Sequence, residues 1–525
     1  MWWLLACAAS APIVVAEAPG DAIYLTMVDR FADGDPSNNA TIDLSDPQAF
    51  HGGDLRGVTA HVDDLAKLGV GTVWLTPIFA MRTEKLEGHG AFHGYWVKDP
   101  YALEPRFGTE ADLAALRDAL HARGMRLVLD LVWNHVSFDA PLRTEKPQWF
   151  HPSLPIVNWD DPVERETHEV HGLPDLAQED PEVSAWLVGA ATRWAAYADG
   201  FRIDAVRHMP LESQRAMGAA VDSAAGRHVW RVGEVFDGDA ARLAASWEGG
   251  GFDAVFDFPL RYALIDVGCH SADPGRIASV LASDRLYKDP SALVTFVDNH
   301  DTSRLITECE GDVERAGRTI DLWLALRGTP SITWGTETAT PGKGEPENRA
   351  SFDWAAPQPL ADHLRDGLAK RRTSPALAHG TTRVVALSPK LLVLDRTLAE
   401  KTVRVAWSDG AATWDGHTLV DGVTTWDEPN GGGAPAAASP VSFRVTGLPE
   451  GVQARVVGSA PELGAWDPSR APVLSSAGDL TVSLPEGVVA WKVVVADGAA
   501  WRWADGADSY AWVRAGAADF LRSWP

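Results

Sequence analysis

The chain has 525 residues, which at about 100–200 residues per domain predicts roughly three domains. Hydrophobic residues make up 46% and charged residues 22%, as in soluble globular proteins with large cores. Forty-six Lys and Arg stand against 72 Asp and Glu, and the formal net charge of −26 argues against partners such as nucleic acid or an anionic lipid surface.

Residues 1–16 are apolar and too short for a spanning helix, which needs about 18 apolar residues or more, so no membrane insertion is expected. A secretory signal peptide over 1–16 fits, although no Lys or Arg precedes Arg30. Leu4-Leu5-Ala6-Cys7 also resembles a lipoprotein box, and a misassigned start is the plainer alternative. A secreted protein is expected, with a periplasmic or Cys7-anchored form as variants.

From 22 to 373, short β-rich runs alternate with amphipathic helical patterns, the signature of βα units around a parallel sheet. The candidate strands are 23–28, 72–76, 126–131, 200–203, 229–234, 254–256, 292–297 and 331–334. Stretches such as 110–123 and 181–198 supply helices between them. Eight strands with crossover helices predict an α/β fold, a (β/α)8 TIM barrel. A doubly wound sheet is the alternative, but it needs a Gly-rich phosphate loop: Gly69-Val70-Gly71 lacks a third glycine, and Gly342-Lys343 runs into Gly344 rather than Ser or Thr. The segment 136–176 is too long for an ordinary βα loop and reads as a small subdomain after strand 3. A short antiparallel β domain is expected over 374–428 and a Gly/Pro/Ala-rich flexible linker over 429–440. An all-β module follows over 441–525. Three cysteines cannot form a disulfide framework, so each fold must stand on its core.

Chemistry in a barrel sits at the C-terminal strand ends. Asp204, Glu234 and Asp301 follow the fourth, fifth and seventh strands. Arg202 and Asp204, two apart on an extended segment, point to one side, and the guanidinium favours an ionised Asp204. Glu234, among like charges in a partly dry cleft, is pushed toward its protonated form. One ionised and one protonated carboxyl are the pair glycoside hydrolysis needs, although acids at strand ends also bind metals.

The strings DLVWNH (130–135), GFRIDAVRH (200–208), GEVF (233–236) and FVDNHD (296–301) closely resemble the four signature regions of glycoside hydrolase family 13, the α-amylase family. GTVWLTPIF (71–79), HGYW (93–96), FGT (107–109) and LPDL (173–176) resemble its accessory regions in the same order. The resemblance implies a barrel cleaving α-glucosidic bonds with retention. Asp204 then matches the nucleophile, Glu234 the acid/base and Asp301 the transition-state stabiliser. Tyr95, His93, His135, Arg202, Arg207, His208 and His300 match substrate-site positions, His93 being the one most open to a core role. Asp130 reads as support for the barrel. Arg207 departs from the family's usual lysine, replacing a point charge with a planar fork.

The same resemblance implies Ca2+. Asn134, Asp175 and the His208 carbonyl match a structural calcium site between barrel and subdomain. Asp33, Asp35, Asn38 and Asn39, with Gly52 and Asp54, resemble the N-terminal calcium loop of cyclodextrin glycosyltransferases. A metal-free Asx-rich turn is the alternative there. Near the C-terminus, VVGSAPELGAWDP (456–468) and the later Trp491-to-Gly506 run resemble the starch-binding domain of carbohydrate-binding module family 20. Trp466 and Trp503 match its stacking pair and Lys492 the polar group beside them. Asp508-Ser509 stands where the family usually carries Asn-Arg, and Trp501 reads as core.

These features imply a secreted α-amylase acting on starch or other α-glucan, as a monomer. A cyclodextrin glycosyltransferase or maltogenic-type transglycosylase is the alternative. His171, where such enzymes carry a central aromatic, favours hydrolysis. A non-catalytic glucan-binding protein is a third reading, opposed by the intact acids.

Overall fold

A computed structural model describes residues 22–429, 438–449, 451–498, 500–505, 508–514 and 518–523. The expected signal segment 1–16, and all of the 429–440 linker except 429 and 438–440, lie outside these residues. Eight parallel strands form the central sheet: β1 Ala22–Thr26, β2 Val70–Leu75, β3 Arg126–Leu131, β4 Gly200–Ile203, β5 Trp230–Gly233, β6 Ala254–Val255, β7 Val294–Thr295 and β8 Thr329–Thr333. Their order is β6-β5-β4-β3-β2-β1-β8-β7. A parallel bridge between Phe256 and Val294 joins the two ends and closes the barrel. The expected strands coincide with these within two residues at each end.

The helices follow from local signals. Glu110–His121 begins at Thr109, whose hydroxyl accepts from the Asp112 amide at 3.3 Å while the Asp112 carboxylate accepts from the Thr109 amide at 2.9 Å, a reciprocal cap. Leu113, Leu116 and Leu120, spaced by three and four, form its buried stripe. Among the described residues no helix is long and apolar enough to cross a membrane.

The subdomain carries only short helical turns, Leu142–Glu145, Pro147–Trp149, Pro162–Thr167 and Val170–Gly172. Bridges His135 to Asp175 and Phe150 to Leu176 pin it to the barrel rim. After the barrel, Thr381–Ser388, Leu391–Leu398, Lys401–Ser408 and Gly422–Asp427 pair in that order as an antiparallel sheet. The last module places Ser439–Thr446 between Asp479–Leu484 and Ala518–Ser523. A second sheet is centred on Gly487–Asp497, which pairs with Ala454–Gly458, Ala500–Trp503 and Ser509–Val513.

Two findings depart from the sequence reading. Cys269 and Cys309 form a disulfide across 40 residues; three cysteines make no framework, yet they suffice for one bridge. The flexible composition of 429–440 predicts a tethered module, whereas the structure packs it onto the barrel. The strand Gly487–Asp497 lies against helix Gly275–Ala282, and Val488 is fully buried in the barrel's own core cluster, with Tyr510 and Trp512 packed on it. Gly275 permits this approach, because a Cβ there would come within 2.8 Å of the Tyr510 ring. The exposed ion pair Arg285–Glu462 at 2.7 Å and the half-buried pair Arg383–Glu486 at 2.9 Å flank the contact. Burying a valine side chain contributes about 1.5–3 kcal/mol, an exposed pair about 0–1 kcal/mol, so apolar packing dominates. Composition reports what a linker is made of, not which faces its neighbours leave to be covered.

Candidate active site

The strand ladder itself delivers the carboxylates. The Asp204 amide donates to the Leu131 carbonyl at 3.1 Å and the Glu234 amide to the Ile203 carbonyl at 2.9 Å, so both residues extend β4 and β5 by one step beyond their ends. Arg202, 1% exposed, lies below them on β4. Its Nη1 donates to Asp204 Oδ1 at 2.6 Å and to Asp130 Oδ1 at 2.9 Å, and its Nη2 lies 2.8 Å from Glu234 Oε1. One guanidinium therefore serves three buried carboxyls. A single positive charge cannot neutralise three ionised acids in a medium of low dielectric, so protons must be retained. Burial raises the Glu234 carboxyl well above the ordinary range; Arg202 opposes this and the Asp204 charge adds to it. Asp130 is likewise raised by burial, again against Arg202.

Ala205, immediately after Asp204, takes left-handed backbone angles of φ 53° and ψ 39°. That conformation turns its amide toward Glu234, donating to Oε2 at 3.1 Å. A non-glycine residue held there is the kind of local strain that concentrates at functional sites.

Asp301 sits in the loop after β7. Burial works against its charge, but His300 and the Arg349 guanidinium, at 3.0 Å from Oδ1, hold it below the usual carboxylate range. His300 Nε2 lies 2.7 Å from the Tyr95 hydroxyl and 3.1 Å from Asp301 Oδ2. Tyr95 spends its own proton on Asp130 Oδ2 at 2.9 Å. The ring therefore carries its hydrogen on Nε2, and burial keeps His300 neutral, its pKa lowered to about 3. The Tyr95 and His300 rings stack, 5.2 Å apart and 5° from parallel.

The remaining expected residues divide by what they touch. His93 accepts the Tyr95 amide on Nδ1 at 3.0 Å and is kept neutral by burial, so in this state it braces Tyr95. His135 donates from Nε2 to the Tyr95 carbonyl at 3.2 Å. Asp130 accepts from Arg202, Tyr95 and, at 3.1 Å, Trp74; it holds the floor of the site. Arg207 directs its fork to the Phe236 carbonyl at 2.9 Å and to Asp237 at 3.4 Å. His208 meets the Arg165 carbonyl at 3.1 Å and the edge of Trp159 at 5.8 Å.

Three residues escaped sequence reasoning. Arg349 closes a short 3-10 turn, Glu347–Arg349, in the connection after β8, outside any matched string, and only tertiary contact brings it to Asp301. Trp159, 49% exposed, stands on the subdomain beside His171 and His208. Phe236, 44% exposed, follows Glu234 by two residues and rests on Phe258 at 4.4 Å. An aromatic two residues past a strand-end acid was the available signal for Phe236.

Two oxygen clusters stand apart. Asn134 Oδ1 and Asp175 Oδ1 are buried and without hydrogen-bond partners, on segments joined by the Asn134 carbonyl and the Leu176 amide at 2.9 Å. The other Asp175 oxygen meets His151 Nδ1 at 2.6 Å. In the 33–39 loop, Asn38 Oδ1 and Asn39 Oδ1 are also buried and unpartnered. Asp33 accepts from Asn39 Nδ2 at 2.6 Å, and Asp35 caps the turn at Ser37. Gly52, at φ +90°, leaves room that a Cβ would take from Asn39 Oδ1 at 2.6 Å. Asp54 accepts the amides of Gly34, Asp35 and Gly57 and the Asn38 side chain, and so anchors that loop. Among the described residues no three His, Cys, Asp or Glu converge, so neither cluster is carboxylate-rich, and each relies on asparagine oxygens beside any aspartate.

On the C-terminal module, the Trp466 and Trp503 rings lie 6.4 Å apart at 35°. Trp503 is 40% exposed, and Trp466 is held at φ 64°. Lys492 Nζ lies 3.5 Å from Asp508. Trp501 packs against Val457, Ala471 and Val494.

A closed barrel with paired strand-end acids around one arginine is the arrangement of a glycoside hydrolase. Residues 25–373 match the family model of the α-amylase catalytic domain, well over half of the chain, and the protein belongs to that family. Residues 438–519 match the starch-binding domain family. The chain is similar to a cyclomaltodextrinase from a Bacillus species, 31% identical over 65% of this chain and 64% of the relative. It is also similar to a cyclomaltodextrin glucanotransferase of Geobacillus stearothermophilus, 28% identical over 74% and 59%. It thus spans less than two thirds of the length of these curated relatives. Among solved structures, an α-amylase from Geobacillus thermoleovorans complexed with acarbose superposes with a TM-score of 0.69 at 29% identity, over 91% of this chain and 98% of that one. The cyclomaltodextrin glucanotransferase CldA gives 0.72 at 25%, over 78% and 99%.

Proposed function

We propose that the protein hydrolyses internal α-1,4-glucosidic bonds of starch and related glucans with retention. The observation that carries this reading is Arg202 shared between Asp204 at 2.6 Å and Glu234 at 2.8 Å, with burial raising the Glu234 carboxyl toward its protonated form. An Asp204 oxygen attacks the anomeric carbon while the bond to the leaving oxygen breaks, and Glu234 gives that oxygen its proton. Glu234, now a carboxylate, takes a proton from water as the water oxygen displaces Asp204, restoring both groups. Asp301, held ionised, faces positive charge developing on the ring. Neutral His300 and His135 flank Tyr95, whose ring offers the sugar an aromatic face, without adding charge. Chromatography of products from soluble starch tests the reading: linear oligosaccharides are expected, and cyclic products as the main fraction overturn it. Relatives named as glucanotransferases support the transglycosylase alternative, which the same chromatogram reads.

Calcium fits both oxygen clusters, since each presents unpartnered buried oxygens of the hard type that calcium prefers. Asn134 and Asp175, with the His208 carbonyl, would hold one ion, and Asn38 and Asn39, with Asp33 and the Gly52 backbone, a second; Asp35 and Asp54, whose carboxylates already accept from Ser37, Arg56 and the loop amides, would shape that site rather than ligate. An ion at the first site would supply the positive charge that draws the subdomain's Asp175 to the barrel's Asn134. Binding to the native state alone adds about 2.7 kcal/mol at a hundredfold excess over Kd. Chelation is expected to lower the melting temperature and to open segment 136–176 to protease first. An unchanged melting curve, with metal analysis finding no calcium, removes the ion from the account.

The Trp466–Trp503 pair supports binding to granular starch. Trp466→Ala with Trp503→Ala is expected to abolish sedimentation with raw starch and to leave turnover of short maltooligosaccharides within about twofold, because the chemistry resides in the barrel. Deleting the module is a poorer test, since it strips the cover from helix Gly275–Ala282. The Cys269–Cys309 bridge supports export, since disulfides persist in oxidising compartments. Activity in the culture medium, with a mature N-terminus near residue 17, is the expected result.

A further inference from the structure

A cavity of about 700 Å³ lies where the barrel, the short β domain and the C-terminal module meet. Asp273 lines it from the turn before helix Gly275–Ala282, Ser388 from the end of strand Thr381–Ser388, and Asp508, Tyr510, Trp512 and Arg514 from the module. Its volume is within the range of about 300–1,000 Å³ typical of small-molecule sites. Aromatic rings lie beside carboxylates, a hydroxyl and a guanidinium. That mixture matches a sugar, whose ring faces are apolar and whose rim consists of hydroxyls.

The position of the cavity narrows the choice of ligand. Asp508 belongs to two places at once: its carboxylate lies 3.5 Å from Lys492, beside the Trp466–Trp503 pair, and it also lines the cavity. Along the central strand of the module, Lys492, Ala490 and Val488 alternate onto the face that runs from the tryptophan pair toward the barrel, where Val488 is buried. Tyr510 and Trp512 pair with Ala490 and Val488 on the neighbouring strand and so share that face, which carries the starch-binding face on into the lining of the cavity. Asp508-Ser509, which departs from the usual Asn-Arg of this module type, thus has a place of its own.

We propose that this cavity is an additional glucan subsite, and that a chain of α-linked glucose seated on Trp466 and Trp503 continues past Asp508 into the space between module and barrel. The proposal rests on the reading of α-glucan as the ligand. It gives the docked arrangement of the module a function, because a freely tethered module would not enclose the site.

Maltoheptaose is the probe, titrated calorimetrically into the full chain carrying Glu234→Gln to stop turnover. Ser388→Trp, placed on the β domain, fills the cavity without altering the module. It is expected to weaken the module's binding event at least tenfold, or to remove one event, and Asp508→Ala to do the same to a smaller extent. Melting curves identify any variant that is unfolded. A crystal of the Glu234→Gln protein soaked in maltoheptaose, with glucosyl density in the cavity, supports the proposal independently of either variant. Unchanged affinity and stoichiometry in folded Ser388→Trp, or a soaked crystal with sugar on Trp466 and Trp503 but none in the cavity, overturns it while leaving the glucan reading intact. Failure of the Glu234→Gln parent to bind maltoheptaose anywhere overturns both.

Discussion

Replacing Glu234 by Gln is expected to lower kcat by about 10²–10⁴-fold with the fold preserved, since that is the usual contribution of a positioned general acid. Asp204→Asn is expected to lower it further, because in the proposed mechanism it removes the carboxylate that bonds to the sugar. The two variants differ in their pH behaviour. The proposed mechanism needs Glu234 protonated, and burial raises its pKa, so activity is expected to decline as pH rises through that raised value. The Gln variant has no such descending limb. The stability signs follow from the same shift. A carboxyl whose folded pKa is raised favours the fold at low pH and burdens it as pH climbs from the unfolded value toward the folded one. Gln carries no such burden, so Glu234→Gln is expected to melt above the native protein at neutral pH by a margin that widens toward alkaline pH. A kcat above a tenth of the native value would sink the assignment.

Arg202→Met is expected to inactivate the enzyme and destabilise it by about 3–5 kcal/mol, the penalty of breaking a buried pair from one side. Asp130, Asp204 and Glu234 all lie on that guanidinium, and Met leaves them nothing positive at contact distance. Protonation relieves the repulsion, so the loss in melting temperature is expected to shrink as pH is lowered to about 5 and to grow toward pH 8. Arg202→Lys tests the geometry separately: one ammonium cannot serve Asp204 and Glu234 through two nitrogens as the planar fork does. It should recover part of the stability and little of the activity. Equal melting temperatures of native and Met proteins at pH 8 would refute the shared-charge account.

The sequence by itself determined the barrel and its reactive edge. Each strand is a short buried run whose hydrophobicity is set locally, and each acid follows its strand directly, so Asp204 and Glu234 were legible as strand-end carboxyls before any contact was known. The Arg202–Asp204 pairing was legible for the same reason, a period of two along an extended chain. Tertiary structure alone decided the rest. Arg349 reaches Asp301 from a loop 48 residues away, and Trp159 reaches His208 across the subdomain; neither spacing leaves a periodic trace. The Cys269–Cys309 bridge and the seating of the module on helix Gly275–Ala282 are likewise invisible in composition. Periodicity reports which face of an element is buried. What buries it depends on long-range packing, and only the assembled fold supplies that.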